Sequence, residues 1–171
     1  GAATAPNFLT VLNIKTILRD AAIVGIMAIG LTFVTLSGNF FLLSMKETAA
    51  LSIIAFATSM SAGYGFELSF LFTMVIAMAA GAIQGLLIGL GGNPIVVTLG
   101  AAGLFFGISS WWSDNLVVSF RRPHGAEWLG SGSFLGLPNI TIAFIIIAIF
   151  AEFVLRRTSF GRQVYLVGSN R

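Results

Sequence analysis

Five long apolar stretches divide this chain, at about residues 21–37, 48–63, 66–90, 94–112 and 138–155. A helix crossing the hydrocarbon of a bilayer needs about 17–25 predominantly apolar residues, and most of the stretches reach that length. With 57% hydrophobic and 9% charged residues in a chain of 171, a soluble domain of this size has no core large enough to hide them. Lipid is the expected solvent. The ionisable residues keep to the ends of the stretches: Lys15, Arg19 and Asp20 before the first, Lys46 and Glu47 after it, Arg156, Arg157 and Arg162 after the last. A charge at mid-bilayer costs about 2.5–3.5 kcal/mol, which accounts for that exclusion. A closed barrel would alternate apolar and polar residues, whereas residues 71–80 and 140–149 are apolar on every side. The expected fold is therefore all-α: a polytopic integral membrane protein of about five membrane-spanning or partly re-entrant helices, forming a single domain over residues 1–171.

Several chemistries are set aside on composition. Cysteine is absent, so no disulfide framework and no thiol chemistry are available. No His-Glu-x-x-His pair, Gly-x-Ser-x-Gly elbow or phosphate loop occurs, and no catalytic residue, metal or cofactor is expected. His124 is the sole histidine and receives no role. The net charge of +3 sits mainly in the tail beside the last stretch, where the positive-inside rule explains it without nucleic acid. Counting five crossings, Lys46 and the tail arginines share one face, while Lys15, Arg19, Arg121 and Arg122 share the other. The expectation is a cytoplasmic C-terminus and an external loop over residues 113–137. The start, Gly1-Ala2-Ala3-Thr4, lacks Met and any signal-peptide pattern, and the chain is expected to lack its true beginning.

Within the stretches, Gly81, Gly85 and Gly89 recur at every fourth position, a spacing that lets two helix backbones approach closely. They are expected to pack against another helix of the same chain, with a subunit interface as the other reading. Gly91-Gly92-Asn93-Pro94 is the sharpest break. It reads as a tight turn or as an interrupted helix beside a solute path. Residues 37–47 carry Phe40, Phe41, Leu42, Leu43 and Met45 between polar ends, which fits a segment dipping into the membrane or a helix extension. Asn39, Phe40, Phe41, Gln84, Asn93 and Thr98 are the candidate pathway residues, each polar or aromatic beside a break or small-residue face. Gln84 needs a partner for its amide, and a hydrogen bond between helices would serve as well as a ligand. Trp111 and Trp112 suit the interfacial aromatic belt.

Beyond the last stretch, Glu152 and Arg156 form a favourable helical pair, and basic residues then mix with Phe160, Tyr165 and Leu166. Four segments in order carry a resemblance: Pro6-Asn7-Phe8-Leu9-Thr10, Gly25-Ile26-Met27-Ala28-Ile29-Gly30-Leu31-Thr32-Phe33-Val34, Asn93-Pro94-Ile95-Val96-Val97-Thr98-Leu99-Gly100, and residues 156–170. Together they resemble the ribose-type sugar permeases of bacterial ABC importers, and the likeness covers nearly the whole chain.

The resemblance implies a multi-pass protein of the bacterial inner membrane that pairs with a second permease subunit, the same or homologous. Two cytoplasmic ATP-binding subunits would drive it and an external solute-binding protein would deliver the ligand. It also implies that residues 156–171 form a cytoplasmic coupling segment, with Arg156, Arg157, Phe160, Gly161, Arg162 and Tyr165 docking on the ATPase. Two features depart from the family's pattern. Gly38-Asn39-Phe40-Phe41-Leu42-Leu43-Ser44-Met45 stands where the family usually has Gly-Gly-Ile-Asp-Leu-Ser-Val-Gly, so an acidic residue is missing. The family also usually has one further span before this chain and several after it, so a partial, first-half permease is expected. The function expected is ATP-driven uptake of a small polar solute, a sugar in the first instance. An amino-acid or nucleoside permease of the same superfamily, and a small homo-oligomeric channel without an ATPase, are the alternatives.

Overall fold

The computed structural model describes residues 10–38, 42–118, 128, 130, 132–134 and 136–169. Asn39, Phe40, Phe41, Arg121, Arg122 and His124 lie outside the described residues, as does most of the loop expected over 113–137. Helix α1 spans Val11–Leu36, α2 Met45–Ser61, α3 Phe66–Gly89, α4 Pro94–Trp112, α5 Asn139–Arg157 and α6 Ser159–Ser169. Strands β1 (Ser133–Phe134) and β2 (Leu137–Pro138) form a small antiparallel hairpin ahead of α5. The all-α expectation holds apart from that hairpin.

Among the described residues, four helices are long and apolar enough to cross a membrane: α1, α3, α4 and α5. Between 6% and 17% of the residues in their apolar windows are buried within the chain, so most of these residues are left at least partly open to lipid or other protein. The expected second span is α2, whose 17 residues put it at the short end of the spanning range. The first span also differs from expectation. The helix begins at Val11 and runs for 26 residues, about 39 Å, so Lys15, Arg19 and Asp20 lie in its early turns rather than before it. A helix longer than the hydrocarbon is thick can carry those charges at the water boundary.

Helix boundaries follow from local chemistry. At the end of α3, Gly91 takes φ +99°, a conformation that disfavours residues with a Cβ. Its N–H bonds the Ile88 carbonyl and the Gly92 N–H bonds the Leu87 carbonyl, each at 3.0 Å, which closes the helix with a Schellman pair. Asn93 then caps α4, its Oδ1 accepting from the Ile95 N–H at 3.0 Å, and Pro94 fills the first helical position, where no N–H is needed. Of the two readings of this break, the turn is the one found. Three threonines inside the helices satisfy themselves: Thr58, Thr73 and Thr98 each donate to the carbonyl four residues back at 2.8 Å, which removes the cost of a bare hydroxyl in lipid, whereas the buried hydroxyls of Ser69 and Ser109 have no partner among the described residues.

The chain divides into two compact units. One contains α1, the hairpin, α5 and α6. Contacts advance in the same direction along α1 and α5, so these helices run parallel: Thr141 donates to the Leu18 carbonyl at 3.2 Å, the Phe144 ring lies against Gly25, and further on Phe160 of α6 meets Phe33 with ring centroids 6.4 Å apart. The other unit packs α2, α3 and α4 around Leu51, Ala80 and Phe105, with Ile76, Ala101 and Trp112 against them.

The expected packing stripe is corrected by the structure. Gly81, Gly85 and Gly89 are exposed, and a Cβ on any of them would meet nothing within 4 Å. The face of α3 that is buried carries Ser69, Ala80 and Gln84. Gly81 and Gly85 each follow a buried residue by one position and so sit about 100° round the helix from it. Gly100, Gly103 and Gly107 of α4 likewise meet nothing, whereas Thr98, Phe105 and Ser109 are its buried residues.

Candidate functional site

Two places hold the residues that the sequence singles out. At the end of α5 the backbone of Thr158 is extended, with φ −106° and ψ 159°, and breaks the helix. Its hydroxyl donates to the Val154 carbonyl at 2.6 Å and accepts from the Gly161 N–H at 3.3 Å. One side chain thus closes α5 and caps the start of α6. Arg156 pairs with Glu152, and both Arg156 and Arg157 lie in the last turn of α5, where cations complement the helix dipole.

Helix α6 is amphipathic and tightly seated. Gly161 is its buried residue, and a Cβ there would overlap the Leu155 backbone; one on Gly168 would overlap the Leu36 carbonyl. These contacts pin α6 against the ends of α5 and α1. The rest of its surface is open, with Phe160 at 56%, Tyr165 at 49% and Leu166 at 67% exposure. Arg162 is also exposed, its guanidinium donating to the Ser159 hydroxyl at 3.1 Å. Of the six residues expected to couple, Phe160, Arg162 and Tyr165 therefore come together on one open helix, whereas Gly161 allows the helix to sit where it does.

The pathway candidates are less unified. Asn39, Phe40 and Phe41 lie outside the described residues. Gln84 is 5% exposed; its amide oxygen accepts from the Ser44 hydroxyl just ahead of α2, and its Nε2 donates to the Ala80 carbonyl at 3.2 Å. The partner that its burial demands is thus a neighbouring helix. Thr98 is fully buried and bonds its own helix, and Asn93 is an exposed cap. The polar groups of all three take part in bonds that hold this unit together.

The same unit holds a cavity of about 490 Å³ lined by Thr58, Ser59, Ala62, Tyr64, Leu68, Phe72 and Trp112. None of its lining residues was among the pathway candidates. Trp112 is more than a belt anchor: it is half-buried, meets Phe72 edge-on with centroids 6.3 Å apart and packs on the Leu51 cluster. Trp111 is 80% exposed. The adjacent tryptophans look alike in sequence, and the helix rotation between them separates their roles.

Residues 13–171 match the family described as "Branched-chain amino acid transport system / permease component". The chain belongs to this permease family. Its relatives include the ribose import permease protein RbsC of Bacillus subtilis, 34% identical over 167 residues, covering 96% of this chain and 52% of the relative. The autoinducer 2 import system permease protein LsrC of Salmonella paratyphi B is 30% identical over 165 residues, covering 96% of this chain and 47% of LsrC. LsrD of the same organism is 32% identical over 162 residues, covering 88% of this chain and 47% of LsrD. The chain thus spans about half the length of the curated relatives it matches. No solved structure matches it. The family is one of permease-type transport subunits, not of catalytic enzymes, and with four helices able to span the chain is a multi-pass protein of the bacterial inner membrane.

Proposed function

We propose that this chain forms the first half of a permease subunit in an ATP-driven importer for a small polar solute, with a sugar as the cargo. The observation that carries this reading is α6: a short amphipathic helix directly after a span, wedged through Gly161 against the Leu155 backbone, with Arg162 and Tyr165 on its open face and Phe160 half-exposed beside Phe33. Such a helix transmits force because it is fixed to the spans and free toward a partner. That partner is a cytoplasmic ATP-binding subunit, and closure of two such subunits tilts the spans between two arrangements. A second permease subunit completes the pathway and an external solute-binding protein supplies it.

The parallel course of α1 and α5 supports five crossings rather than four. The chain must return between them an odd number of times, which α2, α3 and α4 together provide and α3 with α4 alone do not. With five crossings, the hairpin and α6 lie on opposite faces, and the arginines after α5 favour the cytoplasm for α6. Family membership together with the ribose and autoinducer 2 importers among the relatives supports the importer assignment, and ribose favours a sugar. The family description also names branched-chain amino acids, which makes an amino-acid permease the second reading.

Affinity isolation of the natural protein from its own membranes in mild detergent, with the mass of every co-purifying chain, tests the assembly. An ATP-binding subunit bound to the protein is expected, and its loss in Phe160→Asp/Tyr165→Asp with helicity intact. A protein associated only with itself would sink the importer in favour of a homo-oligomeric channel. Uptake of labelled ribose against labelled leucine by membrane vesicles then separates the two cargo readings.

A further inference from the structure

In the unit formed by α1, the hairpin, α5 and α6, a pocket of about 200 Å³ is lined by Leu12, Lys15, Thr16, Arg19, Gly130, Gly132, Ser133 and Pro138. Lys15 and Arg19 stand one turn apart on the same face of α1. Neither forms an ion pair among the described residues, where the pairs found are Lys46 with Glu47 and Arg156 with Glu152. The first turn of α1 carries no acidic residue. Two cations and Ser133 thus line one small space, with no acidic residue among its described lining residues.

The wall opposite α1 is built closely. A Cβ on Gly132 would stand 2.6 Å from the Asn139 Nδ2 and would overlap the Trp128 carbonyl, and one on Gly130 would stand 3.9 Å from the Arg19 Nη2. Behind Gly132 and Pro138, Asn139 is 5% exposed; its Nδ2 donates to the Trp128 carbonyl at 2.6 Å, while its Oδ1 is buried with no partner among the described residues. An unpaired buried acceptor of that kind calls for a donor.

We infer that this pocket is a binding site for a phosphate-bearing anion, supplied by the headgroup of an anionic phospholipid. The phosphate sits between Lys15, Arg19 and Ser133. Lipid is favoured over a soluble anion because the pocket lies beside the apolar surface of a span: Ile23 and Val24, one turn beyond Arg19 toward the membrane interior, are 45% and 61% exposed. An acyl chain running along α1 covers those residues while its headgroup occupies the pocket. Charge pairing with Lys and Arg at the membrane boundary is the chemistry that makes such sites selective for anionic lipids.

Native mass spectrometry of the full-length protein in mild detergent, titrated with phosphatidylglycerol or phosphatidylcholine, tests the site. One tightly retained phosphatidylglycerol is expected, with retention at least tenfold weaker for phosphatidylcholine. Lys15→Gln/Arg19→Gln should lower phosphatidylglycerol retention by at least tenfold, while Lys46→Gln leaves it unchanged. The charge-keeping Lys15→Arg/Arg19→Lys should bind as the parent does, which separates lost charge from lost folding. Equal retention by the parent and the Gln variant would overturn the site. Displacement of the lipid by millimolar inorganic phosphate would overturn the lipid as its source.

Discussion

Glycine does opposite things in the two units. In the α1–α5–α6 unit, Gly25 and Gly161 mark places where a neighbouring ring or backbone leaves no room for a Cβ. In the α2–α3–α4 unit, the regular rows at Gly81, Gly85 and Gly89 and at Gly100, Gly103 and Gly107 face open space. Regular spacing is what draws attention to a sequence, yet here the irregularly placed glycines make the close contacts. A small-residue row lets a helix approach but does not supply one. This unit is held instead by Leu51, Ala80 and Phe105 and by the bond between Ser44 and Gln84, and its glycine rows remain open to helices from outside the chain.

The comparison breaks most readily at Gly161. Gly161→Val should cost about 2–3 kcal/mol through overpacking, read as a lower unfolding midpoint in detergent and faster tryptic cleavage beside Arg157. A variant as stable as the parent would show that α6 is not pinned there. Gly25→Leu drives a side chain into the Phe144 ring and should cost about 1–3 kcal/mol. Phe144→Ala should recover part of that loss, with a coupling above about 0.5 kcal/mol in a double-mutant cycle; strict additivity would mean the two residues do not touch.

Within the other unit, Asn93→Ala should cost about 1 kcal/mol as a lost cap, and the measurement is again the unfolding midpoint. Gln84→Leu should cost about 0.6 kcal/mol, with no further loss when Ser44→Ala is added, since either change removes the same bond. The smallest effect has the opposite sign. Gly85→Ala should stabilise the isolated chain by about 0.5 kcal/mol through helix propensity, because no neighbour stands in the way. In the complete importer the same change should lower uptake when another subunit's helix lies on that row, and unchanged uptake would leave the row facing lipid.

Much of the fold was legible because its signals are local. The α4 start needs only Asn93 and Pro94, and the α3 end only Gly91 and Gly92, since these residues act on backbone groups within one turn. The early start of α1 was missed because Lys15, Arg19 and Asp20 interrupt the apolar run without breaking the helix. The candidate site was legible in part. Phe160, Arg162 and Tyr165 do share an open helix, but nothing in the apolar runs pointed to the cavity at Tyr64, Phe72 and Trp112, whose residues come from separate segments of the chain.

Apolar length and the exclusion of charge were enough for the sequence alone to determine that lipid is the solvent, that helices are the elements, and where most of them stop. Each of those follows from a cost paid residue by residue against water or hydrocarbon. Which face of each helix packs was decided only by the tertiary structure, as were the parallel course of α1 and α5, the burial of Gln84 against Ser44 and the seating of α6 on Leu155. In a chain whose spans are apolar all round, hydrophobicity singles out no inward side, and the choice falls to the fit of individual side chains that distant parts of the sequence bring together.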